Sequence, residues 1–314
     1  MPTSGLPVAI VTGAGRGLGR EHALALARAG YAIVVNDLGG AGDGTGADTT
    51  PAGQVVAEIE AMGGRAVADG SDVADWQAAA GLIDRAVQTF GRLDALVNNA
   101  GVLRDRSLAN ITEDDWDISI RVNLKGAAAP LHHAARFWRD LSKQTGAPVN
   151  AAVVNTSSAS GLYSNIGQAN YAAAKAGIAA LTVVAARELG RYGVRVNAIA
   201  PVAATRLTDG VMNDELKARF DPTLVSPLVV YLLGAEATGV NGRVFEIGGD
   251  AVVVVDTPRP VAGFRAEGGR WTAETLAKIA PGLVAQLPQP EMTAVEAGKF
   301  MKTLPLAPVA VERT

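Results

Sequence analysis

Tyr171 and Lys175 stand four residues apart in Tyr-Ala-Ala-Ala-Lys, and Ser158 precedes the tyrosine by thirteen residues. At helical spacing, positions i and i+4 share a face, so the Lys175 ammonium is expected beneath the Tyr171 phenol, where it favours the deprotonated form. A free phenol titrates near pH ~10, and each unit of lowering corresponds to about 1.4 kcal/mol. Bringing it within reach of neutrality therefore takes about 4 kcal/mol, in the range of one adjacent cation in a partly dry site. A hydroxyl, a phenol and a cation held together can bind an alcohol and take its proton, as needed when a hydride leaves the same carbon. A surface helix with an unrelated Tyr and Lys would show the same spacing, so the elements around the pair must decide.

Those elements are framed by composition. The chain has 314 residues, 48% hydrophobic, with 36 glycines and only 5% aromatics, a mixture suited to close packing of small and branched side chains in an α/β fold. One dinucleotide-binding domain over 1–250 is expected, with a C-terminal extension over 251–314 packing on the core or on a partner subunit. A net charge of -3 gives no reason to expect a nucleic-acid partner. With no cysteine, the chain has neither a disulfide nor a thiolate nucleophile, and His22, His132 and His133 lack partners at metal-ligand spacing, so no metal is expected. The first apolar run, Pro7 to Val11, has no basic stretch before it, and no segment is read as approaching the ~20 apolar residues of a membrane span. A cytoplasmic protein with no membrane partner is expected.

Short branched runs recur at Val8–Thr12, Ala32–Asn36, Arg65–Asp69, Leu93–Asn98, Ala151–Thr156, Val194–Ile199 and Arg243–Ile247, and read as strands. Alanine- and leucine-rich segments between them, Leu18–Ala29, Ala52–Met62, Trp76–Phe90, Glu113–Leu141 and Ala169–Leu189, read as helices. This alternation predicts a single Rossmann-type, doubly wound parallel sheet of about seven strands with helices on both faces and ligands at the carboxyl ends of the strands.

The first strand runs into Thr12-Gly13-Ala14-Gly15-Arg16-Gly17-Leu18-Gly19, a glycine-rich turn that opens a helix. Missing side chains let backbone approach a pyrophosphate, and a helix N-terminus offers open amides, so Gly13, Arg16, Gly17, Leu18 and Gly19 are read as cofactor-binding. Asp37, at the end of the second strand, can accept from the ribose hydroxyls and would repel a 2′-phosphate, which argues for NAD over NADP. Arg16 points the other way, since a cation could pair with that phosphate. Asp72 and Val73 follow the third strand, where Asp72 either contacts adenine or caps the helix before Trp76. The glycine-rich run between Leu38 and Pro51 lacks the Gly-Lys-Ser/Thr ending of a phosphate loop and is read as a mobile surface insertion.

Thr12 to Gly19, Asn98-Asn99-Ala100-Gly101, Asn123, Ser158, Tyr171 and Lys175 together resemble the short-chain dehydrogenase/reductase family over roughly residues 7 to 250. The resemblance implies that Asn99, Ala100 and Gly101 shape the cofactor pocket and that Asn123 holds a water linking Lys175 to solvent. It further implies that Ser158, rather than Ser157, binds the substrate oxygen, that Tyr171 carries the proton, and that Lys175 also anchors the nicotinamide ribose. Val35 to Gly40, Leu103 to Ser107, Asp114 to Asp117 and Thr156 to Tyr171 look like the (3R)-hydroxyacyl-CoA dehydrogenase part of peroxisomal multifunctional enzymes type 2, a group also described as 17β-hydroxysteroid dehydrogenases type 4. That likeness implies NAD-dependent interconversion of a 3-hydroxyacyl-CoA and a 3-oxoacyl-CoA, including one with a bulky or steroid-derived acyl chain, by a stand-alone dehydrogenase. The alternatives are a hydroxysteroid or other secondary alcohol dehydrogenase on the same scaffold, and a silent nucleotide-binding module, against which the intact quartet argues.

One run departs from the family pattern. Family members usually show Pro-Gly and then a threonine after the sixth strand, whereas this chain reads Pro201-Val202-Ala203-Ala204-Thr205-Arg206. Pro201, Val202 and Thr205 are assigned to the nicotinamide end, and Arg206 to about Phe220 to a substrate lid. Thr272–Ile279 is read as a helix in the extension, and Arg265 and Arg270 either meet CoA phosphates or are solvated. Small residues on the helices carrying Asn123 and Tyr171 favour a homodimer or homotetramer.

Overall fold

A computed structural model describes residues 5–48, 50–205, 213–256, 258, 265 and 270–284. The branched runs form β1 (Val8–Thr12), β2 (Ala32–Asn36), β3 (Ala66–Asp69), β4 (Ala95–Asn98), β5 (Ala151–Thr156), β6 (Val194–Val202) and β7 (Val244–Gly248). Between and after them lie α1 (Gly17–Arg28), α2 (Thr50–Ala61), α3 (Trp76–Phe90), α4 (Glu113–Ser119), α5 (Gly126–Thr145), α6 (Ala159–Tyr163), α7 (Ala169–Leu189), α8 (Asp214–Arg219) and α9 (Ser226–Leu233). The sheet order is β3-β2-β1-β4-β5-β6-β7 followed by an eighth strand, β8 (Ala251–Val255), parallel from β3 through β7. The order reverses between β1 and β4, and the carboxyl ends there diverge into a crevice.

Every residue of β1, β2 and β5 is buried because helices cover both faces. Val11 and Val35 pack in one layer with Leu24, Ile59 and Leu232, while Ile10, Val34 and Leu96 pack in the other with Leu82, Leu131 and Trp138. Each such side chain contributes roughly 1.5–3 kcal/mol by leaving water, so the sheet is a firm base for the loops at its carboxyl edge.

The structure differs from expectation in four elements. An eighth strand, β8 (Ala251–Val255), joins β7 antiparallel, so the sheet continues past residue 250, where the extension was expected to begin. The helix read as Glu113–Leu141 is broken by a π-helical turn, Ile120–Lys125, between α4 and α5. The cap of α3 is Asp75, whose carboxylate accepts from the amides of Gln77 and Ala78, and not Asp72. The extension carries α10 (Ala273–Val284), longer than the Thr272–Ile279 expected.

One stretch, Ala169–Tyr192, is long and apolar enough to pass for a membrane span by length and composition, contrary to the sequence reading. Its apolar character has another use in the fold, where Ile178, Ala185, Ala186 and Leu189 are buried under the sheet.

Candidate active site

Ser158 follows β5 and caps α6, its Oγ accepting from the Ser160 amide at 3.2 Å. The phenol of Tyr171, on the first turn of α7, lies near enough to this hydroxyl for Ser158 to favour its ionised form. Tyr171 is oriented from behind, where its amide donates to Asn170 Oδ1 (2.8 Å) and Asn170 Nδ2 donates to the carbonyls of Arg104 and Asp115. Lys175 is 3% exposed; its Nζ donates to Thr156 O at 2.8 Å and lies 5.5 Å from the Tyr171 ring centroid. Ser157 Oγ donates to the carbonyl of Lys175 (2.8 Å), which places it behind the helix.

Asn123 is fully buried in the π turn. Its Nδ2 donates to Val102 O and Ser119 O, and its Oδ1 accepts from the Val102 amide. π turns rotate a residue out of the helical register, and here the side chain meets the chain segment that runs past Lys175. A Cβ added to Gly101 would lie 2.7 Å from Asn123 Oδ1 and 3.6 Å from Lys175 Nζ, so only glycine passes between the two.

Burial dominates the electrostatics of the pair. It pushes the Tyr171 phenol up to about 12, against the lowering by the neighbouring Ser158 hydroxyl and with an upward push from Asp105. Burial also pulls the Lys175 ammonium down to about 8. The expectation that Lys175 alone draws the phenol toward neutrality is therefore corrected. Desolvation penalises both charged forms, and the ammonium is bonded to the Thr156 carbonyl.

The crevice beyond β1 and β4 is lined by Gly13, Arg16, Gly17, Leu18, Asp37, Asp72, Val73, Asn99, Ala100, Gly101 and Thr205 among the residues expected. Gly13, with φ +62°, brings its backbone against Ala100, where an added Cβ would lie 2.8 Å from the Ala100 Cα. The turn is braced by Thr12 Oγ1, which accepts from the amides of Asn99 and Ala100, and by Asn99 Nδ2, which donates to the Thr12 and Gly13 carbonyls. Arg16 occupies the N-cap of α1 without a side-chain cap bond, so the open amides of the helix face the crevice. Asp37 stands opposite, its carboxylate fixed by the amides of Gly15 and Gly39 at 2.6 Å each. Open amides, a close-approach glycine turn and a fixed acceptor at the ribose position fit a nicotinamide dinucleotide.

Gly19, Tyr171, Lys175, Pro201 and Val202, all read as cofactor-binding, are not in the wall of this crevice. Gly19 serves packing, since an added Cβ would lie 2.1 Å from Gly13 O. Pro201 and Val202 end β6, paired with Ile247 and Gly248. The lid assigned to Arg206–Phe220 is described only from residue 213, where α8 begins one position later; residues 206–212 lie outside the described residues. Asp72 faces the crevice with its carboxylate bonded by Arg121 at 2.7 and 2.9 Å.

The sequence reading missed the glycine-rich insertion. Gly40, Ala41, Gly42 and Gly44 line the crevice, together with Ile118, Arg121 and Val122. The insertion is held down by bonds from the Leu103 amide to Gly42 O (3.0 Å) and from Arg104 Nε to Asp43 O (2.7 Å). Beyond Arg104, the same stretch continues to the Gly167 carbonyl through the Arg106 amide. The glycine content signalled the backbone's closeness, but the surface that receives it lies sixty residues away in sequence.

The family model of the short chain dehydrogenases matches residues 7–217. A hydroxyacyl-CoA dehydrogenase of Mycobacterium tuberculosis is 45% identical over 84% of this chain and 84% of its own length. The peroxisomal multifunctional enzyme type 2 of Mus musculus is 45% identical over 77% of this chain but 31% of its own length. A crystal structure of a short chain dehydrogenase from Mycobacterium avium superposes with a TM-score of 0.80 at 50% identity, covering 90% of this chain and 96% of the other. Fold, site geometry and these matches agree that the chain belongs to the short-chain dehydrogenase/reductase family.

Proposed function

We propose that the chain is an NAD-dependent dehydrogenase that interconverts a 3-hydroxyacyl-CoA and its 3-oxoacyl-CoA. The observation that carries this reading is the cluster of the Ser158 hydroxyl, the Tyr171 phenol and buried Lys175, next to a crevice that holds Asp37 in its wall. The acyl-CoA is supported by the names of the relatives, one a hydroxyacyl-CoA dehydrogenase aligned over most of its length. Asp37 supports NAD, because a fixed carboxylate accepts from ribose hydroxyls and repels a 2′-phosphate.

When bound, NAD supplies a hydride acceptor carrying one positive charge. Ser158 donates a hydrogen bond to the substrate oxygen and fixes its distance from Tyr171. Tyr171 takes the hydroxyl proton in oxidation and returns it in reduction. Because burial holds its phenol near 12, Tyr171 parts with a proton only with added positive charge and the neighbouring Ser158 hydroxyl. Lys175 supplies part of that charge, its Nζ lying close behind Gly101 of the crevice wall. Asn123, buried against Gly101, orders the path by which the Lys175 proton reaches solvent.

The test is a steady-state panel of NAD and NADP against (3R)-3-hydroxyacyl-CoAs of several lengths, steroid-CoA thioesters and free hydroxysteroids. Turnover of the CoA esters with NAD is expected; rates confined to free steroids, or to NADP, overturn the reading.

A further inference from the structure

The segment between Ser158 and Tyr171 is fastened to the sheet at a point the proposed chemistry does not use. α6 is one and a half turns long, and its N-cap is Ser158 itself. One face of it lies directly on α7, where a Cβ on Gly161 would come 2.5 Å from the carbonyl carbon of Lys175. Its last residue, Tyr163, donates through its hydroxyl to Glu246 Oε2 at 2.9 Å. Glu246 is in the middle of β7 and 1% exposed. Its other oxygen, Oε1, has no hydrogen-bond partner among the described residues. Immediately after Tyr163 the backbone turns through Ser164 at φ +63° and ψ 163°, a region that favours glycine.

A carboxyl inside a sheet costs stability that an apolar side chain would avoid, and a strained serine persists only where its surroundings hold it. Both stand at the C-terminal end of the short helix that presents Ser158. We propose that Glu246 and Tyr163 are positioning residues, which clamp α6 to β7 and so hold the Ser158 hydroxyl beside the Tyr171 phenol. With the clamp, the base of α6 is fixed on two sides, by α7 at Gly161 and by the sheet at Glu246. Without it, α6 pivots on Gly161 and the hydroxyl drifts from the substrate oxygen. The role rests on the reading of Ser158 and Tyr171 as the substrate-facing pair.

The test compares Tyr163→Phe, Glu246→Leu and Glu246→Gln with wild type and with Tyr171→Phe, using the full chain, NAD and a (3R)-3-hydroxyacyl-CoA that wild type turns over. Misplacement by about 1 Å lowers turnover by up to about a hundredfold, so Tyr163→Phe and Glu246→Leu are expected to lose about ten- to a hundredfold in kcat. The KM for NAD should stay within about twofold, since neither residue lines the dinucleotide crevice. Glu246→Gln keeps an oxygen to accept from Tyr163 and should recover kcat to within about threefold of wild type. The Tyr163→Phe/Glu246→Leu double variant should be no worse than the poorer single variant, as expected of two residues acting as one unit. Wild-type kcat in folded Tyr163→Phe overturns the proposal, as does a Glu246→Gln enzyme as slow as Glu246→Leu. Should Glu246→Leu fail to fold, Tyr163→Phe, which removes one hydroxyl, decides alone. Surviving activity in Tyr171→Phe refutes the active-site reading and the clamp with it, whereas inactive Tyr171→Phe beside unimpaired Tyr163→Phe refutes the clamp only.

Discussion

Replacing Lys175 with Met should make the protein more stable and nearly inactive, and the pH dependence of that exchange is calculable. Burial lowers the Lys175 ammonium from 10.5 to about 8, which amounts to roughly 3.5 kcal/mol of destabilisation at neutral pH. Methionine has similar length and no charge to desolvate. It forfeits the bond to the Thr156 carbonyl, worth about 1.5–3 kcal/mol for a charged donor, leaving a net gain of about 0.5–2 kcal/mol at pH 7. Below about pH 8 both the folded and unfolded wild type hold the proton, so the cost is fully present. Between about 8 and 10.5 the unfolded chain binds more protons than the folded one, and wild-type stability rises with pH. The advantage of Lys175→Met should therefore shrink and reverse across that window. Urea titrations of both proteins at several pH values from 7 to above 10 give the difference directly, and reduced-nicotinamide absorbance gives turnover, expected to fall by about a hundredfold or more. A stability difference that stays flat across the window would refute the account of a costly buried ammonium; undiminished turnover would remove Lys175 from the chemistry.

Three further outcomes are expected. Asp37→Ser removes the fixed acceptor at the ribose position and should raise the KM for NAD by about ten- to a hundredfold, at about 1.5–3 kcal/mol for a charged acceptor, while that for NADP falls. His22 is buried with Nδ1 on Ser226 Oγ, and burial pushes its imidazole down to about 3. Between that value and 6.5 the unfolded chain binds more protons, so stability is lost as pH falls, by roughly 5 kcal/mol at the low end; His22→Asn should shift the acid-unfolding midpoint downward. Gly161→Ala places a methyl 2.5 Å from Lys175 backbone and should cost about 1–3 kcal/mol in thermal unfolding, with a larger proportional loss of kcat than of folded protein.

The parallel strands were legible because buried branched runs bounded by turns have few other uses; the i, i+4 spacing put Tyr171 and Lys175 on one face of α7, while Ser158 was named through the family resemblance. β8 was also signalled, since Gly249 and Asp250 form a two-residue link between Val244–Gly248 and Ala251–Val255; the run was read as part of the tail instead. The π turn at Ile120–Lys125 leaves no mark on the helical periodicity of Glu113–Leu141, because one extra residue only rotates the later stripe. Spacing also revealed proximity without desolvation, so it foretold the Tyr171–Lys175 neighbourhood and missed the direction in which burial moves both groups. The insertion looked unattached because its contacts with residues 103 and 104 are remote in sequence.

Those contacts make the stretch from Leu103 to Arg106 common property of two ends of the molecule. At Leu103 and Arg104 it receives the insertion through Gly42 and Asp43, and at Arg104 and Arg106 it meets Asn170, in the first turn of α7, and Gly167, just before it. A change in the length or sequence of the insertion is thus mechanically a change at the doorstep of Tyr171. Loop grafts between members of this fold that exchange the insertion while leaving 103–106 untouched will alter the fit of the donor tyrosine as well as the grip on adenosine, so the two segments behave as one exchangeable unit.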